Sequence, residues 1–402
     1  MADQEIRKRL DRKELELNAL LEITQAINSN VPEASLYKIF HFTLRSNLNI
    51  KKLALYVFDE QWNCQVNFGT KNNFSKLQLD DRFHLTRQPH KMTDFEQECE
   101  FHEFDMLIPV AHENTTLAVV FVGGLDDNPQ DAVRFIQALS NIIIVAIENK
   151  KLARKQLEQE AFRKELEIAS DVQQFLFPEK LPNTERLKLE ASYLPHDLVG
   201  GDYYDFIPIN KNQFLLCVAD VSGKGIPAAL MMSNFQASLR TLLRQMPNLT
   251  EIVEALNYQV LENAKGEKFI TFFAAIYDIN LKTLVYVNSG HNPPLLYDKK
   301  HGVRLLEDGS TVLGAMHPLP FLKEGFITDL DDFLLFCYTD GLTETLNEKG
   351  EEYGQQALID YFTENNQKEL KTIHQDIIVR LDGFKGKNSY RDDITMLSCR
   401  VS

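Results

Sequence analysis

The stretch FLLCVADVSGKGIPAALMMS, residues 214–233, places one carboxylate, Asp220, directly after six largely apolar positions. The apolar run reads as a buried strand. Ser-Gly-Lys-Gly breaks it, and Ile226-Pro227 then opens a helical segment in the manner of a first-turn proline. A carboxylate at the mouth of a buried strand, ahead of two glycines, is compatible with a phosphate loop, a metal ligand or an ordinary capped turn. A Walker A loop needs GxxxxGK followed by Ser or Thr, and SGKGIP lacks both the upstream glycine and the hydroxyl after Lys224. A cysteine-phosphatase loop needs Arg six positions after Cys; Cys64, Cys99, Cys217 and Cys337 have Thr70, Asp105, Gly223 and Thr343 there. No GxSxG elbow is present.

The same grammar recurs downstream and upstream. FLLFCYTDG (333–341) ends in Asp340-Gly341, GGDYYDF (200–206) presents Asp202 and Asp205, and SYRDDITML (389–397) presents Asp392 and Asp393 before a last apolar strand. A lone Asp-Gly is a turn. Four acidic loops, each abutting an apolar strand, exceed that explanation. Converging carboxylates repel unless they are protonated or neutralised by cations. Hard divalent ions with all-oxygen ligation, Mg²⁺ or Mn²⁺ and not Zn²⁺, meet that need. His196, His291, His301, His317 and His374 show no HxxxH or HExxH spacing. His291, in NSGHNPP, reads as a turn-stabilising residue ahead of ligation or acid catalysis.

At 402 residues the chain predicts two domains. A net charge of -15 argues against general nucleic-acid binding, which needs a basic face. Apolar runs such as IIIVAI (142–147) fall short of the roughly 20 residues of a spanning helix, so no membrane span is expected. The first residues, charged throughout, do not read as a signal peptide. Five scattered cysteines without a CxxC pair predict reduced thiols and a cytoplasmic location.

Residues 2–28, free of Gly and Pro, predict a helix in which Ile6, Leu10, Leu17, Leu20 and Ile27 recur at a 4/3 spacing, with Lys13 and Thr24 between them. It reads equally as a surface helix or a dimeric coiled coil. From 30 to about 135 comes a mixed segment with strands in KKLALYVFD and CQVNFGT and a hairpin in FDMLIPVAHENTTLAVVFVGG. A long helix then runs from near Asp131 to Pro178. Its polar second half keeps a stripe of Phe162, Leu166, Ala169 and Leu176 with Gln173 in the seam, and predicts a bridging or self-pairing helix. Lys150, Lys151, Arg154 and Lys155 read as a solvated face. Beyond the FPEKLPNTE boundary, strands are predicted in FLLCVADV, KFITFFAAIYDI, TLVYVNSG, PPLLYD, DFLLFCYTDG and DITMLSCRV. Helices are predicted at 226–246 and at 250–264, the latter opened by Thr250. Many strands with few connecting helices predict an α+β fold and not a βαβ array.

GGDYYDF, VADVSGKGIPAALMMS, NSGHNPPLL, LFCYTDGLTET and YRDDITML, in that order, resemble the motif set of the metal-dependent serine/threonine protein phosphatases. The resemblance is to the SpoIIE-like, RsbU-like branch of the PPM superfamily and spans about 170–402. It implies a β-sandwich flanked by helices, two or more Mn²⁺ or Mg²⁺ ions at one end, and hydrolysis of phosphoserine or phosphothreonine on a protein. By the same resemblance Asp220 bridges two ions, with the Val221 carbonyl near one of them. Asp340 and Asp392 are further ligands, and Asp202 contributes through the second ion or its waters. Asp393 competes with Asp392, and Asp205 with Asp202, for these assignments. The upstream arginine with which animal relatives hold the phosphate is lacking.

The first segment resembles a GAF domain, more loosely. Cys64, Cys99, His41, His84, His90, His102 and His112 have no metal-like spacing there, so the resemblance implies a small-molecule or partner sensor, or a ligand-free dimerisation module. The expected layout is an N-terminal helix at 1–28, a GAF-like sensor at 29–150, a helical regulatory linker at 151–182 and a phosphatase domain at 183–402. In the linker, Gln159 and Gln173 are polar seam positions that permit two registers of a homodimeric helix. The implied substrate is a phosphorylated anti-sigma-factor antagonist of the STAS type. The rival reading is a catalytically silent adaptor that binds its phosphoprotein through the same fold. A two-metal nuclease conflicts with the acidic charge.

Overall fold

The computed structural model describes residues 2–79, 83, 85–95, 100–112, 115–125 and 129–402. His84, Cys99 and the Glu113-Asn114 part of the expected hairpin turn lie outside the described residues. The chain divides into two compact units, 1–160 and 161–402.

In the first unit, helices α1 (Ala2–Asn28), α2 (Glu33–Leu48) and α3 (Pro129–Gln174) accompany β1 (Lys52–Asp59), β2 (Gln61–Phe68), β3 (His90–Lys91), β4 (Met106–His112) and β5 (Thr115–Gly123). The strands form one antiparallel sheet in the order β2-β1-β5-β4-β3. Side-chain alternation splits it into two buried faces. Leu53, Leu55, Val57, Val120 and Val122 pack with Ile23, Phe40, Leu44, Ile136 and Leu139 of the helices. Ala54, Tyr56, Val119 and Phe121 pack with Phe74, Phe83, Phe101 and Phe104. Cover on both faces is why β1 and β5 read as near-continuous apolar runs.

The helical stripes come out differently from the sequence expectation. In α1, Ala19 and Ile23 are buried while Ile6, Leu10 and Leu17 stay exposed, so only part of the 4/3 stripe serves this unit's core. α3 ends at Gln174, short of the expected Pro178; within it Phe162 and Ala169 are exposed, Leu166 is half-buried and the seam residue Gln173 is buried, while Leu176, beyond its end, is half-buried. One stretch bears on the reading of the apolar runs. One window within Gln130–Gln174 reaches a mean hydropathy of 1.3, long and apolar enough by length and composition alone to cross a membrane, as core helices also are, and 50% of it is buried. Ile136, Leu139, Ile143, Ile144 and Ile147 supply core contacts from this stretch.

The second unit contains β6 (Leu187–Leu194), β7 (Tyr203–Pro208), β8 (Gln213–Val221), α4 (Ile226–Gln245), α5 (Leu249–Ala264), β9 (Ile270–Asp278), β10 (Thr283–Ser289), β11 (Leu295–Asp298), β12 (Gly302–Leu305), β13 (Gly309–Ser310) and β14 (Gly325–Ile327). It closes with β15 (Phe333–Tyr338), α6 (Asp340–Thr343), α7 (Gln355–Asn365), α8 (Leu370–Lys385) and β16 (Ile394–Val401). One sheet runs β13-β10-β9-β8-β7, with β14 also on β10; the other runs β12-β11-β15-β16-β6. On β8, Leu215, Cys217, Ala219 and Val221 pack under α4 and α5. Phe214, Leu216 and Val218 meet Leu335, Cys337, Leu397 and Cys399 of the opposite sheet. Leu334, Phe336 and Tyr338 turn outward to α7 and α8. The result is a helix–sheet–sheet–helix sandwich.

Local signals account for most boundaries. Pro227 sits in the first turn of α4 behind Gly225, as the sequence predicts. α5 begins at Leu249 and not at Thr250, because Asn248 is its cap and accepts the Thr250 N–H at 3.0 Å. His374 of α8 lies 2.8 Å from the hydroxyls of both Ser192 and Ser398, and burial lowers its pKa to about 4. A neutral imidazole therefore pins this helix to β6 and β16.

Candidate metal centre

Strand parity selects the side chains that meet at one end of the sandwich. Asp220 alternates with residues facing α4 and α5, so it points between the sheets, directly opposite Thr271 of β9 in the β8–β9 register. Asp202, just before β7, is only 1% exposed. Its Oδ2 accepts hydrogen bonds from Thr339 Oγ1 at 2.8 Å and Thr395 Oγ1 at 2.6 Å. Both hydroxyls belong to the opposite sheet's end of the sandwich, so one carboxylate bolts the two layers together.

The remaining acids come from the loops beside it. Asp393 Oδ1 accepts the His196 N–H at 2.7 Å and Oδ2 accepts the Gly201 N–H at 3.0 Å, which fixes the loop carrying Asp202. A Cβ on Gly200 would stand 2.0 Å from Asp393 Oδ2, so only glycine permits this approach. The Val221 carbonyl faces the same loop, 2.9 Å from where a Cβ of Gly201 would lie. Asp340 opens α6 immediately after Thr339. Asp392 accepts the Asp393 N–H at 3.0 Å and pairs with Lys224 Nζ at 2.8 Å. Lys224 also donates to the Arg391 carbonyl. The lysine of SGKG is thus engaged by the Asp392 loop, while Gly223 and Gly225, at φ 93° and 70°, make the turn around it.

The electrostatics are those of crowded, desolvated acids. Burial pushes the Asp220 carboxyl up to about 7, helped by the charges of Asp340 and Asp392. Burial, then the Asp220 charge, holds Asp202 well above the usual carboxylate range. Asp340 is raised by burial and then by Asp392. Asp393 is raised by burial against the pull of its backbone N–H donors. Each of these shifts marks negative charge that a proton or a cation would relieve.

Among the described residues no three His, Cys, Asp or Glu side chains close on one point tightly enough to hold an ion as they stand. The chemistry of the donor set nonetheless fits hard divalent cations. It consists of carboxylate and carbonyl oxygens, and the carboxylates repel one another.

Of the acids singled out in the sequence, Asp202, Asp220, Asp340, Asp392 and Asp393 share this electrostatic cluster. Asp205 does not. Three residues beyond Asp202, it falls on the opposite face of the sheet, where it is fully buried and accepts Arg240 Nε at 2.8 Å and Nη2 at 3.0 Å, and the Tyr203 hydroxyl. That parity was available in the sequence and separates the two acids. Sequence reading passes over Thr339, Thr395 and Thr271. Their signal is a hydroxyl beside each acid: Thr339 immediately before Asp340, Thr395 two residues after Asp393 on the same strand face, and Thr271 across from Asp220.

A two-sheet sandwich with acids gathered at one end is the architecture of a PP2C-type phosphatase domain. It is shared with the SiaA-PP2C domain of Pseudomonas aeruginosa, which superposes at a TM-score of 0.55 and 19% identity over 61% of this chain and 99% of that one. The profile of the family described as Stage II sporulation protein E (SpoIIE) matches residues 210–402. Phosphoserine phosphatase RsbU of Bacillus subtilis (strain 168) is 31% identical over 246 residues, 60% of this chain and 71% of RsbU. Protein IcfG of Synechocystis sp. (strain ATCC 27184 / PCC 6803 / Kazusa) is 26% identical over 328 residues, 72% of this chain but about half, 51%, of IcfG. The chain belongs to the SpoIIE-type family of PP2C-fold protein serine/threonine phosphatases.

Proposed function

We propose that this chain hydrolyses phosphoserine or phosphothreonine on a regulatory phosphoprotein, using Mn²⁺ or Mg²⁺ ions held by Asp202, Asp220, Asp340, Asp392, Asp393 and the Val221 carbonyl. The observation that carries this reading is the half-buried acid Asp220, pushed up to about 7 beside Asp340 and Asp392 at one end of the sandwich. When bound, such ions supply Lewis-acid polarisation of a phosphoryl group and lower the pKa of water. The chain's own residues set the stage. Thr339 and Thr395 fix the orientation of Asp202, Asp393 clamps the loop behind it, and Lys224 offers an ammonium beside Asp392. Phosphoryl transfer asks mainly for positioning and charge neutralisation, which this arrangement provides.

The proposed substrate is a phosphorylated STAS-type anti-sigma-factor antagonist, a reading supported by the relative named phosphoserine phosphatase RsbU. The test is phosphate release by the full chain from a phosphoserine-bearing STAS-type protein, with Mn²⁺ and with a chelator. Release that requires Mn²⁺ is the expected result. Tight binding of the phosphoprotein without any turnover would establish the silent-adaptor reading instead.

Regulation by the GAF-like segment, through a small ligand or protein activator, is part of the same proposal. A homodimer joined along the exposed apolar positions of α1 and α3, among them Leu10, Leu17, Leu157 and Ile168, belongs to it as well. The reduced Cys64, Cys217, Cys337 and Cys399 suit a cytoplasmic setting. Gln173 gives the α3 end a route to the site. It is 6% exposed, donates from Nε2 to the Gly200 carbonyl at 2.8 Å, and accepts the Gly200 N–H at 3.3 Å, two residues before Asp202. Gln173→Ala leaves both peptide groups without their amide partner. We expect kcat to fall about 10-fold or more, as for a lost pair of buried hydrogen bonds. Phosphatase assays beside thermal melts check this, and an unchanged kcat in a folded variant would remove Gln173 from the switch.

A further inference from the structure

The NSGHNPP segment carries the chain from β10 in one sheet to β11 in the other. If His291 served only the turn, its main chain would need the ring. It does not: the His291 N–H is already held by Asn288 Oδ1 at 2.8 Å, and Asn288 Nδ2 donates to the Leu306 carbonyl at 3.1 Å. The next residue, Asn292, donates to Thr343 Oγ1 at 3.2 Å, and Thr343 donates to the Asp340 carbonyl at 3.2 Å. The loop is therefore fixed on both sides without the imidazole.

The imidazole is nevertheless buried, 5% exposed, between the two strand ends that bear acids. Nδ1 lies 2.8 Å from Thr271 Oγ1, and Thr271 sits directly opposite Asp220. Nε2 is buried without a hydrogen-bond partner, and the Tyr338 main chain lies close to the ring. Tyr338 stands two residues before Asp340, at the end of β15. With the ring proton on Nε2, Nδ1 accepts from the Thr271 hydroxyl. A buried ring with one imperfectly satisfied nitrogen is costly, and here it spans the gap between the two sheets at the acidic end.

We propose that His291, acting through Thr271 on one side and the Tyr338 peptide on the other, is a positioning residue that sets the spacing between the strand ends carrying Asp220 and Asp340. The inference rests on the proposed reading of those acids as metal ligands. Groups that orient ligands from behind change metal affinity by about 10–100-fold when removed. Neither His291 nor Thr271 is itself assigned a metal.

The test is Mn²⁺ affinity of the full chain, measured by electron paramagnetic resonance of free Mn²⁺, with thermal unfolding followed in parallel. Expected are a roughly 10–100-fold weakening in His291→Ala and Thr271→Val, and affinity within about 3-fold of wild type in Thr271→Ser, which keeps the hydroxyl. Wild-type affinity in the folded valine variant overturns the inference, as does a serine variant as weak as the valine one. Should His291→Ala unfold, the nearly isosteric Thr271 pair decides alone. Absence of Mn²⁺ binding by the wild-type chain overturns the metal reading itself and the inference with it.

Discussion

Asp220→Asn abolishes Mn²⁺-dependent phosphate release, by about 10²–10³-fold or more, while the metal-free protein at pH 8 melts at or above the wild-type temperature. Both halves follow from one cause. Asp220 stands half-buried among acids, and its carboxyl is pushed up to about 7 by desolvation and by Asp340 and Asp392. In the unfolded chain it titrates near 3.9. Between those values the folded state holds the proton more tightly, so the stability gained from this group is complete below about pH 4. It is lost as pH rises through about 7. The amide carries no charge to repel and escapes that loss, so the variant's advantage in chelator shrinks as pH falls toward 4. What disappears is the anionic oxygen a cation requires. Activity assays with Mn²⁺ and melting curves in chelator at several pH values read the two effects separately. Wild-type turnover in the folded variant would remove Asp220 from the catalytic centre.

Arg240→Met costs about 3–5 kcal/mol of folding stability, the range for orphaning a buried charge. The side chain of Asp205 is 0% exposed whereas that of Arg240 is 39% exposed, so the two partners are unequal. Removing the arginine strands a carboxylate that has no route to water. Removing the acid leaves a guanidinium that can reach solvent along its own stem, and costs less. Asp205→Leu combined with Arg240→Met restores most of the loss, because the vacated volume is refilled with apolar groups. Denaturant unfolding of the single and double variants measures the difference. A loss under about 1 kcal/mol for Arg240→Met would show that Tyr203 and the Phe206 N–H satisfy the carboxylate without it.

The elements that announced themselves in the sequence are those covered on both sides. β8, β9, β10, β15 and β16 lie between the other sheet and a helical layer, so they appear as apolar runs bounded by Gly, Asp and Pro. β6 did not. As an edge strand it is mostly half-buried, and LKLEASYL carries charge along it. α7 and α8 are absent from the sequence expectation, although in α8 Leu370, Ile373, Ile377 and Leu381 recur at helical spacing and are buried. Gln173 looked like a seam residue because helical periodicity cannot report a partner outside the helix. Its partner is the Gly200 peptide.

By itself the sequence determined the α+β class, the strands that carry the acids and which acids stand at strand ends, because alternation and turn chemistry are local. Tertiary structure alone decided what each acid does there. Asp202 bolts the two sheets together through Oδ2, since its hydroxyl donors arrive from 137 and 193 residues away. Asp205 is consumed by an arginine 35 residues on. Hydrogen bonds and charge repulsion act through space, and only the closed sandwich brings these groups within their range.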